Sequence, residues 1–123
     1  MRETLIDFND RLKRGVERVP GAVGGSLVGL DGIEIASYDT GEIDTAVMDA
    51  ELASALSSAL RSSNGMGAGR VQELILTSDG MTAVARTIGS EFFVCVLLRG
   101  DYSLGLARIE ALRMGKEFED SLI

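Results

Sequence analysis

Histidine and tryptophan are absent from this chain of 123 residues, cysteine and proline occur once each, and 12 Lys and Arg face 19 Asp and Glu. Each shortage removes a class of function. Without histidine the chain lacks the usual general base near neutral pH and the commonest metal ligand. The single cysteine, Cys95, excludes an internal disulfide and a cysteine-based metal cluster. A formal net charge of −7 argues against nucleic acid or an anionic membrane as partner, because both are gripped by clustered Lys and Arg. The longest apolar run, residues 92–98, is far too short to cross a bilayer. The opening Met1-Arg2-Glu3-Thr4 does not begin a secretory signal. The expectation is a cytoplasmic protein without direct membrane insertion. One proline and no low-complexity tract leave no linker, so residues 1–123 are expected to form one domain.

What is present is clear patterning. Over residues 3–19 the apolar positions Leu5, Phe8, Leu12 and Val16, with Ile6 and Val19 beside them, fall at helical spacing. Arg11, Lys13, Arg14 and Glu17 are then left for solvent, and Pro20-Gly21 stops the helix. Asp31-Gly32 between the apolar runs 22–30 and 33–37 predicts a hairpin, with both turn residues at positive φ. Gly24, Gly25 and Gly29 weaken the first strand as a strand but let another element approach closely. After a polar loop at 38–44, Asp44 or Thr45 caps a helix that runs to about Ser63 and ends at Asn64-Gly65.

Beyond the glycine-rich stretch 65–69, three strands follow at 71–77, 82–88 and 91–99, joined by Ser78-Asp79-Gly80 and Gly89-Ser90. The last is apolar on both faces, which places it mid-sheet with helices above and below. Ser103 caps a final helix whose inner stripe is Leu104, Ala107, Ala111, Met114 and Phe118. The order α-β-β-α-β-β-β-α, built of hairpins, predicts an antiparallel α+β sheet rather than a doubly wound nucleotide fold.

The middle helix has the broadest inner face. Met48, Leu52, Leu56, Ala59 and Leu60 share a side with Asp49 and Ser63. Ala46, Ala50, Ala53 and Ser57 widen this arc to roughly 200°, about twice a core-facing stripe. Only Glu51, Ser54, Ser58 and Arg61 are left for water. The arc predicts burial on two sides, by the sheet beneath and by another subunit beside it. Leu52 and Leu56 are assigned mainly to the core, and Ala53, Ser57 and Leu60 nearer the partner helix.

No constellation of residues assembles a catalytic centre, a cofactor site or a metal site. The run 21–26 (Gly-Ala-Val-Gly-Gly-Ser) precedes no helix and lacks the Lys of a phosphate loop. Glu42, Asp44, Asp49 and Glu51 lack calcium-loop spacing and read as solvated acids near a helix start. Cys95 reads as a buried structural thiol. Arg86, flanked on its face by Val84 and Ile88, is either an arginine finger for a GTPase or a salt-bridged strand residue; the second reading is adopted.

This order of elements, with these residues, resembles the roadblock (dynein light chain LC7-type) family, particularly its bacterial members. The stretches that carry the resemblance are Val19-Pro20-Gly21-Ala22-Val23 with Gly24, Asp31-Gly32 with 33–36, the helix segment 49–60, and Leu104-Gly105-Leu106-Ala107-Arg108. The resemblance implies a profilin-like five-stranded sheet with the middle helix on one face and the terminal helices on the other. It also implies a homodimer, or a heterodimer with a related chain, made by pairing middle helices and third strands. That assigns Ala53, Leu56, Ser57, Leu60, Val71, Glu73 and Ile75 to the dimer interface. The implied partner is a Ras-like small GTPase, docked over Asp49, Ala50, Ala53 and Ser57, with hydrolysis promoted through the GTPase's own loops. A pure scaffold for a motor, kinase or membrane complex is the alternative, and a small-ligand sensor a further one. An enzyme is not expected.

Overall fold

Residues 7–123 are described by the computed structural model. Their elements run α1 (Phe8–Glu17), β1 (Ala22–Gly29), β2 (Glu34–Asp39), α2 (Thr45–Gly65), β3 (Glu73–Thr77), β4 (Thr82–Ile88), β5 (Phe92–Leu98) and α3 (Leu104–Leu122). The order is the expected one. The expected helix start at residue 3, with Leu5 and Ile6, lies outside the described residues.

All three helices begin the same way. The side chains of Asp7, Asp44 and Ser103 accept hydrogen bonds from the amides of Asp10, Ala46 and Leu106 at 3.1, 3.1 and 3.2 Å. Each bond satisfies a first-turn N–H that has no partner within the helix. At the other end of α1 the chain turns through Gly21 at φ 81°, a conformation in which a Cβ is strained.

The sheet is antiparallel throughout, in the order β2-β1-β5-β4-β3. β5 occupies the centre, as its double-sided apolar pattern requires. Val94, Val96 and Leu98 join Leu12, Leu27, Met114 and Phe118 beneath α1 and α3. Phe93, Cys95 and Leu97 face the other way, against Leu52, Ala53 and Leu56 of α2. The β1 glycines do allow close approach: a Cβ at Gly25 would lie 3.1 Å from Val16 Cγ2, and one at Gly24 only 2.7 Å from Ile43 Cδ1.

Three local features matter, and the first and third correct an expectation. In the first hairpin only Gly32 has positive φ, at 89°. Its amide donates to the Gly29 carbonyl at 2.9 Å, so Leu30 and Asp31 make the turn and Gly32 closes it as a bulge. Next, β2 does not alternate simply. Leu27 pairs with Ala36 but Val28 pairs with Glu34, so Ile35 is bulged out and Glu34 and Ala36 point to opposite faces.

Arg11 is the third. It is 3% exposed rather than solvated. Its Nη2 lies 3.1 Å from Glu110 Oε1, and its Nε donates to Glu117. The two acids of α3 supply the countercharge a buried guanidinium needs, and Gly15, one turn along α1, leaves space for it beside Met114.

Candidate protein-binding face

α2 lies on the sheet with Thr45, Asp49, Leu52, Ala53, Leu56 and Ser63 buried. Its C-terminal end is tied down by Ser63 Oγ, which donates to the Gly69 carbonyl at 2.6 Å. Asp49, Ala53 and Leu56 are 0%, 3% and 0% exposed. They face the sheet and present no surface to a partner helix or a docked protein, which corrects their assignment to those roles.

The outer positions divide into two flanks. Ala50 is exposed and Ser57 half-buried, and the Cβ position of Gly32 lies 3.7 Å from Ala50 Cα and 3.9 Å from Ala53 Cβ. This flank therefore faces the β1–β2 turn. The opposite flank, Val47, Glu51 and Ala55, faces β3, and helical spacing continues it through Ser58 and Ser62. The flank nearest β3 is thus turned about the helix axis from the one assigned by sequence. Leu60 is half-buried against the core under α2.

Between this flank and the sheet runs an apolar groove of about 400 Å³, walled by Val47, Met48, Leu76 and Met81. Val47 is 60% and Leu76 47% exposed. The groove borders β3, which among the described residues pairs only with β4 and so leaves one row of its backbone groups without a strand partner at the sheet edge. The side chains assigned to this strand are dispersed. Val71 precedes β3 and packs toward α2, whereas Ile75 packs toward α1 and α3. Glu73 binds Arg108 at 2.9 Å and Arg86 at 3.8 Å. Arg86 is therefore a salt-bridged strand residue, as adopted above.

Beneath the N-terminal half of α2 sits a polar cluster that sequence reading missed. Ser37, Ser26 and Cys95 lie side by side across β2, β1 and β5, and the Ile35 bulge brings Glu34 to the same face. Asp49 Oδ1 accepts from Cys95 Sγ at 3.5 Å. Burial and a hydrogen bond with Glu34 push the Asp49 carboxyl up to about 8, partly opposed by Ser26. Glu34 is held below its ordinary value mainly by the same bond with Asp49. Burial and the Asp49 carboxyl drive the Cys95 thiol well upward, so it is inert near neutral pH. With its carboxyl pushed up to about 8, Asp49 is neutral near pH 7, which lets it sit beside Glu34 beneath α2 without a cation. No group of three or more metal-ligating side chains comes together among the described residues, and no described helix is long and apolar enough to cross a membrane.

The Roadblock/LC7 domain matches residues 8–98. Over 114 residues the chain is 32% identical to an uncharacterized protein of Methanocaldococcus jannaschii, covering 92% of each chain. The crystal structure of a Roadblock/LC7 domain from Streptomyces avermitilis superposes with a TM-score of 0.86 at 19% identity, over 95% of this chain and 98% of that one. Myxococcus xanthus MglB superposes at 0.83 with 19% identity, over 97% of both chains. Both structures share the fold of this chain. With its sequence matched across α1 to β5 and its fold shared along nearly its whole length, the chain belongs to the Roadblock/LC7 domain family.

Proposed function

We propose that this protein is a dimeric binding module that regulates or scaffolds a Ras-like small GTPase, and that the α2–β3 face makes the contacts. The observation that carries the reading is the apolar groove beside the open edge of β3. An edge strand with unpaired N–H and C=O groups, next to exposed Val47 and Leu76, is a surface that a second strand and helix would satisfy together. The small flank residues Ala55, Ser58 and Ser62 would let two α2 helices lie close. The family resemblance supplies the GTPase as partner.

Binding rather than chemistry is the role inferred for this chain. Its one thiol and its proton-holding acid are sealed beneath α2, out of reach of any substrate.

Two measurements test the reading. Light scattering coupled to size exclusion should give twice the chain mass for the protein and a single chain mass for Val47→Glu/Leu76→Glu, with unchanged circular dichroism. A double variant that stays dimeric removes the α2–β3 face from the proposal. Immobilised protein should then retain a Ras-like GTPase from host lysate with a non-hydrolysable GTP analogue and not with GDP. Identical non-GTPase partners in both runs would leave the pure scaffold.

A further inference from the structure

On the face of the sheet away from α2, a cleft of about 460 Å³ opens between the segment leading into β3, the end of β4 and the C-terminal half of α3. Ile88, Leu112 and Gly115 give it an apolar side. The missing side chain of Gly115 leaves ordinary contact distances, 3.7 to 3.8 Å from its Cβ position, to Ile88, Arg86 and Val94. A larger residue there would push into the cleft wall.

Around it stand Arg70, Arg86 and Lys116, three of the 12 cations in a chain of net charge −7. One acid, Glu119, lines it with them. The cations are weakly engaged. Among the described residues Arg70 makes only a long hydrogen bond to Thr87 Oγ1, at 3.4 Å. Glu73 sits closer to Arg108, at 2.9 Å, than to Arg86, at 3.8 Å. Lys116 takes part in no ion pair among the described residues.

An excess of two positive charges beside an apolar wall defines the complementary ligand. It carries about two negative charges on a compact group and an apolar body, which is the description of a phosphomonoester near neutral pH. Guanidinium groups suit phosphate oxygens by geometry as well as by charge. The volume falls in the range of small-molecule sites. Extended polyanions fit poorly, because the chain as a whole carries a net charge of −7 and would repel a nucleic acid or an anionic bilayer beyond the cleft.

We propose that this cleft binds a small phosphomonoester, with its phosphate held by Arg70, Arg86 and Lys116 and its apolar body laid against Ile88 and Leu112. The site is on the opposite face from α2, so its occupancy leaves the α2–β3 groove open. It stands independently of the GTPase reading.

The test is a titration of 15N-labelled full-length protein with phenyl phosphate, and separately with inorganic phosphate, at constant ionic strength. The expected result is saturable shifts of the amides of residues 70, 86–88 and 112–119, with phenyl phosphate binding more tightly than inorganic phosphate. Arg70→Gln/Lys116→Gln, which changes two exposed side chains, should weaken binding by about tenfold or more, as expected for lost charge-assisted bonds. Lys13→Gln should leave it unchanged. Unsaturable shifts, shifts spread equally to Lys13, Arg61 and Arg99, or a double variant that binds as well as the parent would overturn the site.

Discussion

Replacing Asp49 with Asn isolates the proton held beneath α2. In the folded protein the Asp49 carboxyl keeps its proton up to about pH 8, whereas its ordinary value, taken up on unfolding, is 3.8. Between those limits the folded chain binds one proton more than the unfolded chain, so stability falls as pH rises. One proton corresponds to a slope of about 1.4 kcal/mol per pH unit. From pH 5 to pH 8 the loss is therefore at most about 4 kcal/mol, a large part of a typical domain's stability. Above about pH 8 the part of the slope due to Asp49 vanishes. Glu34 works in the opposite sense: its lowered value makes stability rise with pH, but only below its ordinary 4.5.

The absence of histidine makes this window clean, since no other side-chain type ordinarily titrates there. Asparagine keeps the shape of Asp49 and offers Glu34 an N–H that no pH change removes. In urea denaturation at fixed protein concentration, Asp49→Asn should lie within about 1 kcal/mol of the parent at pH 5 and exceed it by about 2 to 4 kcal/mol at pH 8. Its stability should be nearly flat in between. A variant with the parent's slope, or one destabilised equally at every pH, would refute the proton held by Asp49.

Two further substitutions probe the frame. Gly21→Ala places a Cβ at φ 81°, 2.6 Å from the Asp101 carbonyl oxygen; it should cost more than about 2 kcal/mol and lower the melting temperature by several degrees. Arg11→Met leaves Glu110 buried with only the outer cations Arg18 and Arg113, at 3.7 and 3.3 Å. A loss of about 3 kcal/mol is expected in chemical denaturation, most of it regained in Arg11→Met/Glu110→Leu.

Punctuation and periodicity made the architecture readable. Asp44, Ser103 and Pro20-Gly21 mark element ends by local chemistry, and the doubly apolar β5 announces its own central place. The orientation of α2 was less legible, because Ala and Ser populate both of its flanks and give little contrast between inside and outside. Asp49 fell on the apolar arc, yet nothing local distinguished a buried acid from a docking one. Glu34 could not be paired with it at all: simple alternation puts Glu34 with Ala36, and only the Ile35 bulge separates them. Arg11 was misplaced for a related reason. Its burial depends on Glu110 and Glu117, roughly a hundred residues away in sequence, and helical periodicity reports only neighbours within a turn or two. The cationic cleft likewise gathers residues from β4, α3 and the segment before β3.

The position of β5 also sets when the chain can fold during synthesis. β1–β2 and β3–β4 are neighbouring hairpins in sequence, but they touch in the sheet only through Phe92–Leu98, which lies between β1 and β4. Until that segment leaves the ribosome, each hairpin has an unsatisfied inner edge and α2 has no Phe93 or Leu97 to rest on. A nascent chain stopped before β5 is two sticky halves without a joint. Completion of the sheet is thus deferred until Phe92–Leu98 has emerged, and chain-terminating lesions upstream of Phe92 should yield aggregating fragments rather than a smaller stable domain.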